Sequence, residues 1–551
     1  MIKISVAKML SFFPGILAFL GYYELLSSFS APFRFTVDRV THLYLVQLPL
    51  FGWLEFDYIF YAIASIGIAL LEEDRLKRFH MALVFSATLS LLLGRVLNAA
   101  LMGYFGLGLT AIISAFLHAY KRGVKSLLPG FLLSTVTMET AALVSLASYY
   151  VLGEWSTIPL YIVLRERMLW TPLEWVSILL LIALMWMALT KTVLGGKIML
   201  KLDVPPPKNR HEESDRYGFM LIPLSFLLIS LMILLPHLPT VNPDFKPVSV
   251  DTISYIDFFN NVGDEGLLEA LRESAERPLF ILLAYGLWLA FSKNSILLMD
   301  IFHPLIALCV LALTSYYVTL KLRGSSTAGW APLLVALGYA VPAFIGGGFQ
   351  ANSLALSPAL IALILEPHNI TGMLKPAFPL TLTALIHPWT YTMYSAAILV
   401  RQIRDKRKFM LSLVAVALSY AVSQAVDYCL GAVIVAKVTA SSVTMRLGVY
   451  APLNWFDAIQ LWVWNTLSNP LYISASIFSA EIVYPLLAAA APLTLIIPEG
   501  LLFRIFLNIP FQICSAEILE RLKPKYRLVF LMVLLVRVLG NLSGLTPLEI
   551  S

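Results

Sequence analysis

Long apolar segments recur from one end of this chain to the other, and they limit the folds it can adopt more than any other feature. Segments such as 81–101, 128–152 and 409–437 have about the 20 residues that an α-helix needs to cross a hydrocarbon layer of about 30 Å. Hydrophobic residues make up 59% of the 551 positions, and the mean hydropathy is +0.81, so lipid must replace water around most of the chain. Short segments of alternating hydrophobicity, which are typical of membrane β-barrels, do not recur. The sequence therefore predicts an all-α polytopic membrane protein with about 17 transmembrane spans.

Basic clusters between the apolar segments predict which loops face the cytoplasm, because Lys and Arg concentrate in cytoplasmic loops. These clusters fall on one side of the cell membrane, together with the N-terminus, and they lie at 72–80, 121–125, 191–216, 401–408 and 517–527. The net charge of +6 then belongs to these loops, and no nucleic-acid partner is expected. On this topology the loop Lys246–Arg277 is external, and so are Lys321, Arg323 and the segment Pro367–Thr371.

A polar segment near residue 200 predicts a domain boundary. Residues 201–218 contain three consecutive prolines and alternating charges, which predicts a cytoplasmic linker. Before it, residues 1–200 are expected to form a membrane module of about six spans, whose role the sequence does not indicate. The apolar run that begins at Met9 has no small-residue cleavage site after it, so we expect it to be retained as the first span. Residues 219–551 are expected to form a second transmembrane domain.

The stretch KPVSVDTISYIDFFNNVGDEGLLEALRESAERPLF (Lys246–Phe280) is polar, although apolar segments precede and follow it. Nine charged residues lie from Asp251 to Arg277, and most of them are acidic. In the second half of the stretch, leucines recur at the spacing of one helix face while acids occupy the other face, which is typical of an amphipathic helix at a membrane surface. The sequence therefore predicts an external loop that carries amphipathic helices.

Four short segments follow one another after the linker in an order that resembles the GT-C superfamily of membrane glycosyltransferases. They are V-D-T-x-x-Y (Val250–Tyr255), E-R-P-L-F (Glu276–Phe280), GGGFQANSLAL (Gly346–Leu356) and HPWTY (His387–Tyr391). The resemblance extends over roughly residues 219–545, and it is to archaeal-type members of the protein mannosyltransferase and aminoarabinose transferase branch. It implies a GT-C-like catalytic domain that transfers a sugar from a polyprenyl-phosphate-linked donor to a lipid or protein acceptor at the outer membrane face.

Departures from the family pattern narrow this expectation. The D-x-D acid pair of the oligosaccharyltransferase branch does not occur in the external loop, and the large soluble C-terminal domain of that branch is not expected here. Both departures argue against a metal-dependent oligosaccharyltransferase. The sequence also contains no G-x-x-x-x-G-K-[ST] motif, no H-E-x-x-H motif and no Cys/His ligand set. No cofactor is therefore assigned, and a divalent cation has no supporting motif.

Asp251 is the residue to which the resemblance assigns the role of general base. A carboxylate at the mouth of a membrane cavity is partly desolvated, which raises its pKa toward the range that suits a base. From the residues alone, Asp251 is equally suited to be the N-cap of the helix that follows. Asp257 is a secondary candidate, but it lies on another face of that helix, where we expect it to be solvated.

Sugar transfer also requires cations that bind the departing phosphate. Arg277 precedes Pro278 at the start of an apolar segment, where a guanidinium can bind a lipid phosphate or can simply extend to the membrane interface. Arg272 and Tyr255 lie in the same loop and are further candidates for substrate and phosphate binding.

His387 lies in a largely apolar segment that we predict to be one span, 375–400. Polar groups at that depth are functional candidates because they are costly to bury in lipid. His387 can donate a hydrogen bond to a phosphate, or it can satisfy the backbone of a helix kink at Pro388. Trp455 and Asp457 form an external aromatic and acidic cluster that can stack on a sugar, and anchoring of Trp455 at the interface is the alternative.

Two other classes of function fit the same sequence. In a secondary transporter or a lipid flippase, charged residues within apolar segments, such as Arg95, Glu139 and Asp427, would line a substrate path. Such proteins often contain inverted repeats, and no internal repeat is evident in this sequence. A GT-C-fold protein without catalytic activity would instead serve as a scaffold for other membrane enzymes.

Overall fold

A computed structural model describes most of the chain, namely residues 10–30, 61–68, 70, 74–96, 100–153, 181–192, 214–273, 277–291, 293–338, 340–346, 349–430, 480–496, 507–543 and 545. Within these ranges the regular elements are helices, and no β-strand occurs. The all-α prediction is therefore confirmed for the described residues. Most of the predicted linker 201–218 lies outside them, so the domain boundary stays a prediction.

The helices are numbered α1 to α19 along the chain. The first four are α1 (Phe13–Ser30), α2 (Asp74–Val96), α3 (Ala100–Arg122) and α4 (Leu128–Leu152). The next eight are α5 (Ser214–Leu234), α6 (Val250–Glu265), α7 (Leu267–Glu273), α8 (Pro278–Ala290), α9 (His303–Arg323), α10 (Ser325–Ala328), α11 (Trp330–Ala336) and α12 (Ala340–Gly346). The last seven are α13 (Gln350–Ile364), α14 (Leu374–Ile386), α15 (Pro388–Gln402), α16 (Lys406–Cys429), α17 (Ala480–Ile496), α18 (Phe511–Arg521) and α19 (Pro524–Ser543). A π-helical turn, Leu297–Phe302, leads directly into α9.

Contacts between Cα atoms divide the chain into two compact units. One is drawn from Met1–Leu173 and Leu528–Val536, and the other from Glu174–Arg527 and Arg537–Ser551. In the first unit α1 packs against α3 and α4, and α2 packs against α3. Glycine allows the backbones of α1 and α4 to touch, since a Cβ atom at Gly130 would lie 1.8 Å from the carbonyl oxygen of Phe12. Contacts between small residues are typical of helix pairs in membranes.

Six of the described helical segments are long and apolar enough to cross a membrane. They are Val124–Leu152, Gly218–His237, Leu297–Arg323, Ser325–Gly346, Lys406–Cys429 and Pro524–Ser543. Shorter apolar helices occur at Phe13–Tyr22, Leu181–Thr192, Pro278–Ala290, Gln350–Ile364 and Ile482–Pro492. These helices support a membrane protein, while the number of spans and their orientation stay predictions.

Helix α8, which forms the apolar segment that begins at Pro278, crosses α9 instead of running beside it. The ring of Phe280, near the start of α8, lies 5.0 Å from the ring of His303. The ring of Phe291, just after the end of α8, stacks on that of Phe302 at 3.7 Å. Both ends of α8 therefore contact one turn of the neighbouring helix, and its 13 residues extend only about 20 Å. Helix α8 is therefore one of the shorter apolar helices rather than one of the six that are long enough to cross a membrane.

The predicted span 375–400 consists of two helices, α14 and α15, which meet at His387. The backbone of His387 is extended, with φ −153° and ψ 107°, and this conformation ends α14 and begins α15. Pro388 occupies the first position of α15, where its missing N–H costs no helical hydrogen bond. Residues 375–400 therefore form two helices, and the prediction of one span over this segment is wrong.

Contacts with α13 show that α14 and α15 run in opposite directions. The hydroxyl of Thr390 donates to Oδ1 of Asn352, near the start of both α15 and α13, and Nη1 of Arg401 donates to the carbonyl of Leu363, near the end of both. Helices α13 and α15 are thus parallel. Helix α14 lies between them in sequence and packs against both, so it returns the chain from the end of α13 to the start of α15.

Ion pairs at the far end of these helices correct the predicted topology. Glu366 follows α13 and pairs with Arg401 and Lys408, each at 2.9 Å. The sequence places Pro367–Thr371 outside and 401–408 in the cytoplasm, and the two segments cannot lie on opposite faces if Glu366 contacts both cations. The assignment of opposite faces is therefore wrong.

The end of α9 carries a second correction of the same kind. Arg323 pairs with Glu517 of α18 at 3.0 Å, although the predicted topology places Arg323 outside and 517–527 inside. The two segments therefore do not lie on opposite faces, and the predicted assignment of Arg323 and 517–527 to different faces is wrong. Lys321 lies in the same last turn of α9.

Candidate functional site

Three of the four segments that carry the GT-C resemblance contribute to one apolar cluster in the second unit, and the fourth, HPWTY, begins directly after a member of this cluster, Ile386. Its buried members include Phe259 of α6, Phe280 of α8, Ala351 of α13 and Ile386 at the end of α14, and Tyr255 packs against them. The N-terminal ends of α8, α13 and α15 therefore lie at the cluster. Backbone N–H groups at helix N-termini carry partial positive charge and favour anions, so this convergence suits an anionic ligand.

Asp300, buried beside the cluster, connects the external loop to the turn that precedes α9. Its carboxylate accepts hydrogen bonds from the backbone N–H groups of Val248, at 2.7 Å, and Ser249, and from the hydroxyl of Thr252. These donors lie at the N-terminal end of α6, and Ser249, the N-cap of that helix, makes no side-chain capping bond. Asp300 thus provides the acceptor that a capping side chain normally supplies.

Two buried histidines flank Asp300. Nε2 of His237 lies 3.9 Å from Oδ2 of Asp300, and the His237 ring packs against Phe245. His303, about one helical turn after Asp300, packs edge-on against Phe280. Among the described residues, both ring nitrogens of His237 and Nδ1 of His303 lack a hydrogen-bond partner. Buried polar atoms are normally paired, so these ring nitrogens are available for hydrogen bonds to a ligand.

None of these three residues was expected from the sequence. A signal for Asp300 exists, because it is the one acid in the long apolar segment LLMDIFHPLIALCVLAL, and a lone carboxylate at such a depth is a functional candidate. No local signal links it to Val248 or Thr252, which lie about 50 positions earlier in the chain.

Asp251 lies in the first turn of α6. The helix begins at Val250 with Ser249 as its N-cap, so the alternative that Asp251 is the N-cap is wrong. The side chain of Asp251 lies outside the described part of the structure, and its role as a base stays a prediction. Asp257, further along α6, is exposed, as expected of a solvated acid.

Two of the predicted binding residues, Arg277 and Tyr255, touch each other. Nη1 of Arg277 donates to the hydroxyl of Tyr255 at 3.3 Å, and the ring of Tyr255 packs against that of Phe280 at 5.6 Å. Arg277 is the N-cap residue of α8 and is half-buried, so its guanidinium is held at the edge of the cluster. Arg272 is exposed in the last turn of α7.

His387 is buried at the turn between α14 and α15. Its Nδ1 accepts a hydrogen bond from the N–H of Thr390 at 3.3 Å and lies 2.8 Å from the Thr390 hydroxyl. That hydroxyl donates to Oδ1 of Asn352 at 2.6 Å, which joins HPWTY to GGGFQANSLAL. The helix break at Pro388 is thus observed, and His387 stabilises it as the N-cap of α15. Contact of His387 with a phosphate stays a prediction.

The start of α13 adds further polar atoms to the same level. Nε2 of Gln350 donates to the carbonyl of Met299 at 2.5 Å. Within the described part of the chain, Oε1 of Gln350 and Nδ2 of Asn352 have no hydrogen-bond partner although both are buried. Together with the histidines beside Asp300, these atoms offer donors and acceptors to a polar ligand.

Metal ligation has no candidate among the described residues, where no group of three or more His, Cys, Asp or Glu side chains could hold an ion. Trp455 and Asp457, the predicted sugar-stacking pair, lie outside the described residues. Comparison with models of known protein families, with curated proteins and with solved structures finds no match for this chain. Function is therefore inferred from the segments and the geometry just described.

Proposed function

We propose that this protein is an integral-membrane glycosyltransferase of the GT-C type. It transfers a sugar from a polyprenyl-phosphate-linked donor to a lipid or protein acceptor at the outer face of the membrane. The observation that supports this proposal is that three of the family-like segments pack in one cluster, to which the hydrogen bond between Thr390 and Asn352 joins the fourth. Each segment also brings a polar residue to the edge of that cluster, namely Tyr255, Arg277, Asn352 and His387.

In the proposed reaction Asp251 accepts the proton of the acceptor hydroxyl, and the oxygen of that hydroxyl attacks the anomeric carbon of the sugar. The bond between this carbon and the phosphate oxygen breaks, and its electron pair leaves with the polyprenyl phosphate. The position of Asp251 at the start of α6 suits this role, because Asp300 holds the first turn of that helix against a membrane-embedded segment. A base held in this way stays in register with a lipid-linked donor.

Arg277 and His387 are the proposed contacts of the donor phosphate. A guanidinium can bind two phosphate oxygens at once, and Tyr255 orients that of Arg277. The N-terminal N–H groups of α8 and α15 lie next to these two residues and favour negative charge. Donors that are already oriented stabilise the charge that develops on the leaving phosphate without further rearrangement.

The test uses the purified full-length protein in lipid vesicles with a labelled polyprenyl-phosphate sugar. Asp251→Asn keeps the shape of the side chain and removes its basicity, so transfer is expected to fall at least about 100-fold. Asp244→Asn is the matched control, because Asp244 is an acid just before the same loop with a side chain 72% exposed, and this variant is expected to transfer at the wild-type rate. Undiminished transfer by Asp251→Asn would exclude it as the base.

The same vesicles distinguish the alternative functions. Movement of the labelled lipid between leaflets with no new glycosidic bond would favour a flippase or transporter over an enzyme. Failure of the wild-type protein to transfer or to move any polyprenyl-linked sugar would favour a scaffold.

A further inference from the structure

A cavity at the other end of α13 and α15 has no part in the proposed reaction. Its volume is about 290 Å³, and it lies between the helix Leu181–Thr192, α15 and α17. Three basic side chains line it, those of Lys191, Arg401 and Arg404, together with the ring of Tyr484 and apolar residues. No acid is among the described residues that line the cavity.

The basic side chains are fixed in place by different segments of the chain. Nη2 and Nε of Arg404 donate to the backbone carbonyls of Lys191 and Thr192. The ammonium of Lys191 lies 5.2 Å from the centroid of the Tyr484 ring. Lys191 and Arg404 belong to 191–216 and 401–408, two clusters that the sequence places on the same face, and the structure brings them into contact.

Positive charge exceeds negative charge around this cavity. Two carboxylates lie nearby, Glu366, which Arg401 and Lys408 share at 2.9 Å each, and Asp405, which follows Arg404 and accepts a hydrogen bond from the N–H of Lys408. The bonds of Arg404 to the two carbonyls leave its Nη1 group without a hydrogen-bond acceptor among the described residues. Cations held this close repel one another, and an anion between them relieves that repulsion.

We propose that this cavity binds a phosphate group at the membrane face that carries the basic clusters. Arginine and lysine side chains at fixed positions can donate hydrogen bonds to the oxygen atoms of a phosphate and balance its negative charge. Basic pockets between membrane helices suit anionic lipid headgroups. The apolar part of the lining favours the phosphate of a lipid over that of a soluble compound. This site is separate from the proposed donor site and does not depend on sugar transfer.

The experiment measures retention of phosphatidylglycerol by the purified full-length protein in detergent, by native mass spectrometry, with phosphatidylcholine of the same tails as the comparison lipid. Lys191→Gln removes one charge whose nitrogen lies over the Tyr484 ring, so it is expected to leave the fold intact and to weaken phosphatidylglycerol binding about tenfold. Arg404→Gln is expected to act in the same direction. Lys321→Gln is the matched control, because the ammonium of Lys321 also lies over a tyrosine ring, at 5.8 Å, but does not line the cavity. This variant is expected to bind phosphatidylglycerol as tightly as the wild type does.

A second arm uses glycerol 1-phosphate, followed by calorimetry, as the soluble probe. Binding of this probe that is lost in Lys191→Gln, with no preference for phosphatidylglycerol, supports the phosphate site and assigns it to a soluble compound. The proposal would be overturned if Lys191→Gln and Arg404→Gln bound both probes as tightly as the wild type does. It would also be overturned if the wild-type protein bound neither probe.

Discussion

Substitution of Asp300 by alanine is expected to release the start of α6 from the segment that precedes α9. The carboxylate accepts hydrogen bonds from Val248, Ser249 and Thr252. Each buried donor that is left without an acceptor costs about 1–3 kcal/mol. Some of this cost is recovered when the loop relaxes toward water, so we expect a total of about 3–5 kcal/mol, the range found when one partner of a buried charged contact is removed.

Amide hydrogen exchange is the assay, because the effect is expected to be local. A change of about 1.4 kcal/mol alters an opening equilibrium tenfold, so exchange at residues 248–256 is expected to accelerate at least about 100-fold in Asp300→Ala. Amides of α1 to α4, in the other unit, serve as the internal reference and should exchange at the wild-type rate. Thr252→Val removes a single donor and is expected to accelerate exchange in the same segment by about tenfold or less.

Asp405→Ala is the control for the loss of a carboxylate that caps a helix. Asp405 is exposed and accepts one hydrogen bond, from the N–H of Lys408, so its loss should cost about 1 kcal/mol and leave residues 248–256 unchanged. Equal exchange of that segment in Asp300→Ala and in the wild type would refute the reasoning. So would acceleration spread evenly over the chain, because that result means global rather than local destabilisation.

Two further substitutions test contacts away from the candidate site, one just after the end of α13 and one just before the start of α11. The ammonium of Lys408, which donates to Glu366, lowers the pKa of that carboxyl below its ordinary value of 4.5, so the stabilisation is complete above pH 4.5 and is lost as the pH falls through the folded-state pKa. The wild type and Glu366→Gln should therefore differ in free energy of unfolding at neutral pH and converge in acid, as measured by denaturation in detergent at a series of pH values. Gly329→Ala should lower the stability by about 1–3 kcal/mol in thermal denaturation, because the new Cβ atom would lie 2.4 Å from Cα of Gly218.

Each of these two predictions has its own contradicting result. A difference between the wild type and Glu366→Gln that stays constant from neutral to acid pH would show that the ionised carboxylate does not stabilise the fold. For the glycine, Gly286→Ala is the matched control, since a Cβ atom there would meet no other atom within 4 Å. Equal stability of Gly329→Ala and Gly286→Ala would show that the contact with Gly218 is not close-packed.

Most helix positions could be predicted, because the length of an apolar run sets the length of a helix. The apolar segments 128–152 and 409–437 correspond to α4 (Leu128–Leu152) and, as far as the structure describes it, to α16 (Lys406–Cys429). The amphipathic helices expected in the external loop occur as α6 and α7. In each case residues close together in the sequence carry the information, since backbone hydrogen bonds in a helix join positions four apart.

Whether an apolar run crosses or turns back could not be predicted in the same way. A run such as 375–400 has the composition of one crossing helix and equally of two short antiparallel helices. Pro388 marks the break, but the reversal at His387 depends on the contacts of Thr390 and Arg401 with α13. The predicted topology places 321–323 and 517–527 on opposite faces, and likewise 367–371 and 401–408, although the ion pairs of Arg323 and Glu366 bring the two members of each pair together.

The same distinction between local sequence and tertiary contacts applies to the candidate site. Tyr255 and Arg277 could be named from short segments of sequence, and the structure adds that one donates to the other. Asp300 could be noticed as an acid in an apolar helix, but its partners could not be named. The interaction partners of a buried carboxylate depend on which helices pack around it, and neighbours in sequence do not record this.

Composition is sufficient to make this chain a helical membrane protein, because with 59% hydrophobic residues its apolar surface exceeds what a soluble core can bury. The order of four short segments is sufficient to suggest a family and a list of polar candidates. The packing of three of these segments in one cluster, the bond of the fourth to Asn352, the attachment of α6 to Asp300 and the basic cavity around Lys191 all require the tertiary structure. These contacts join residues about 40 to 200 positions apart, and such distances are closed only when whole helices pack against one another.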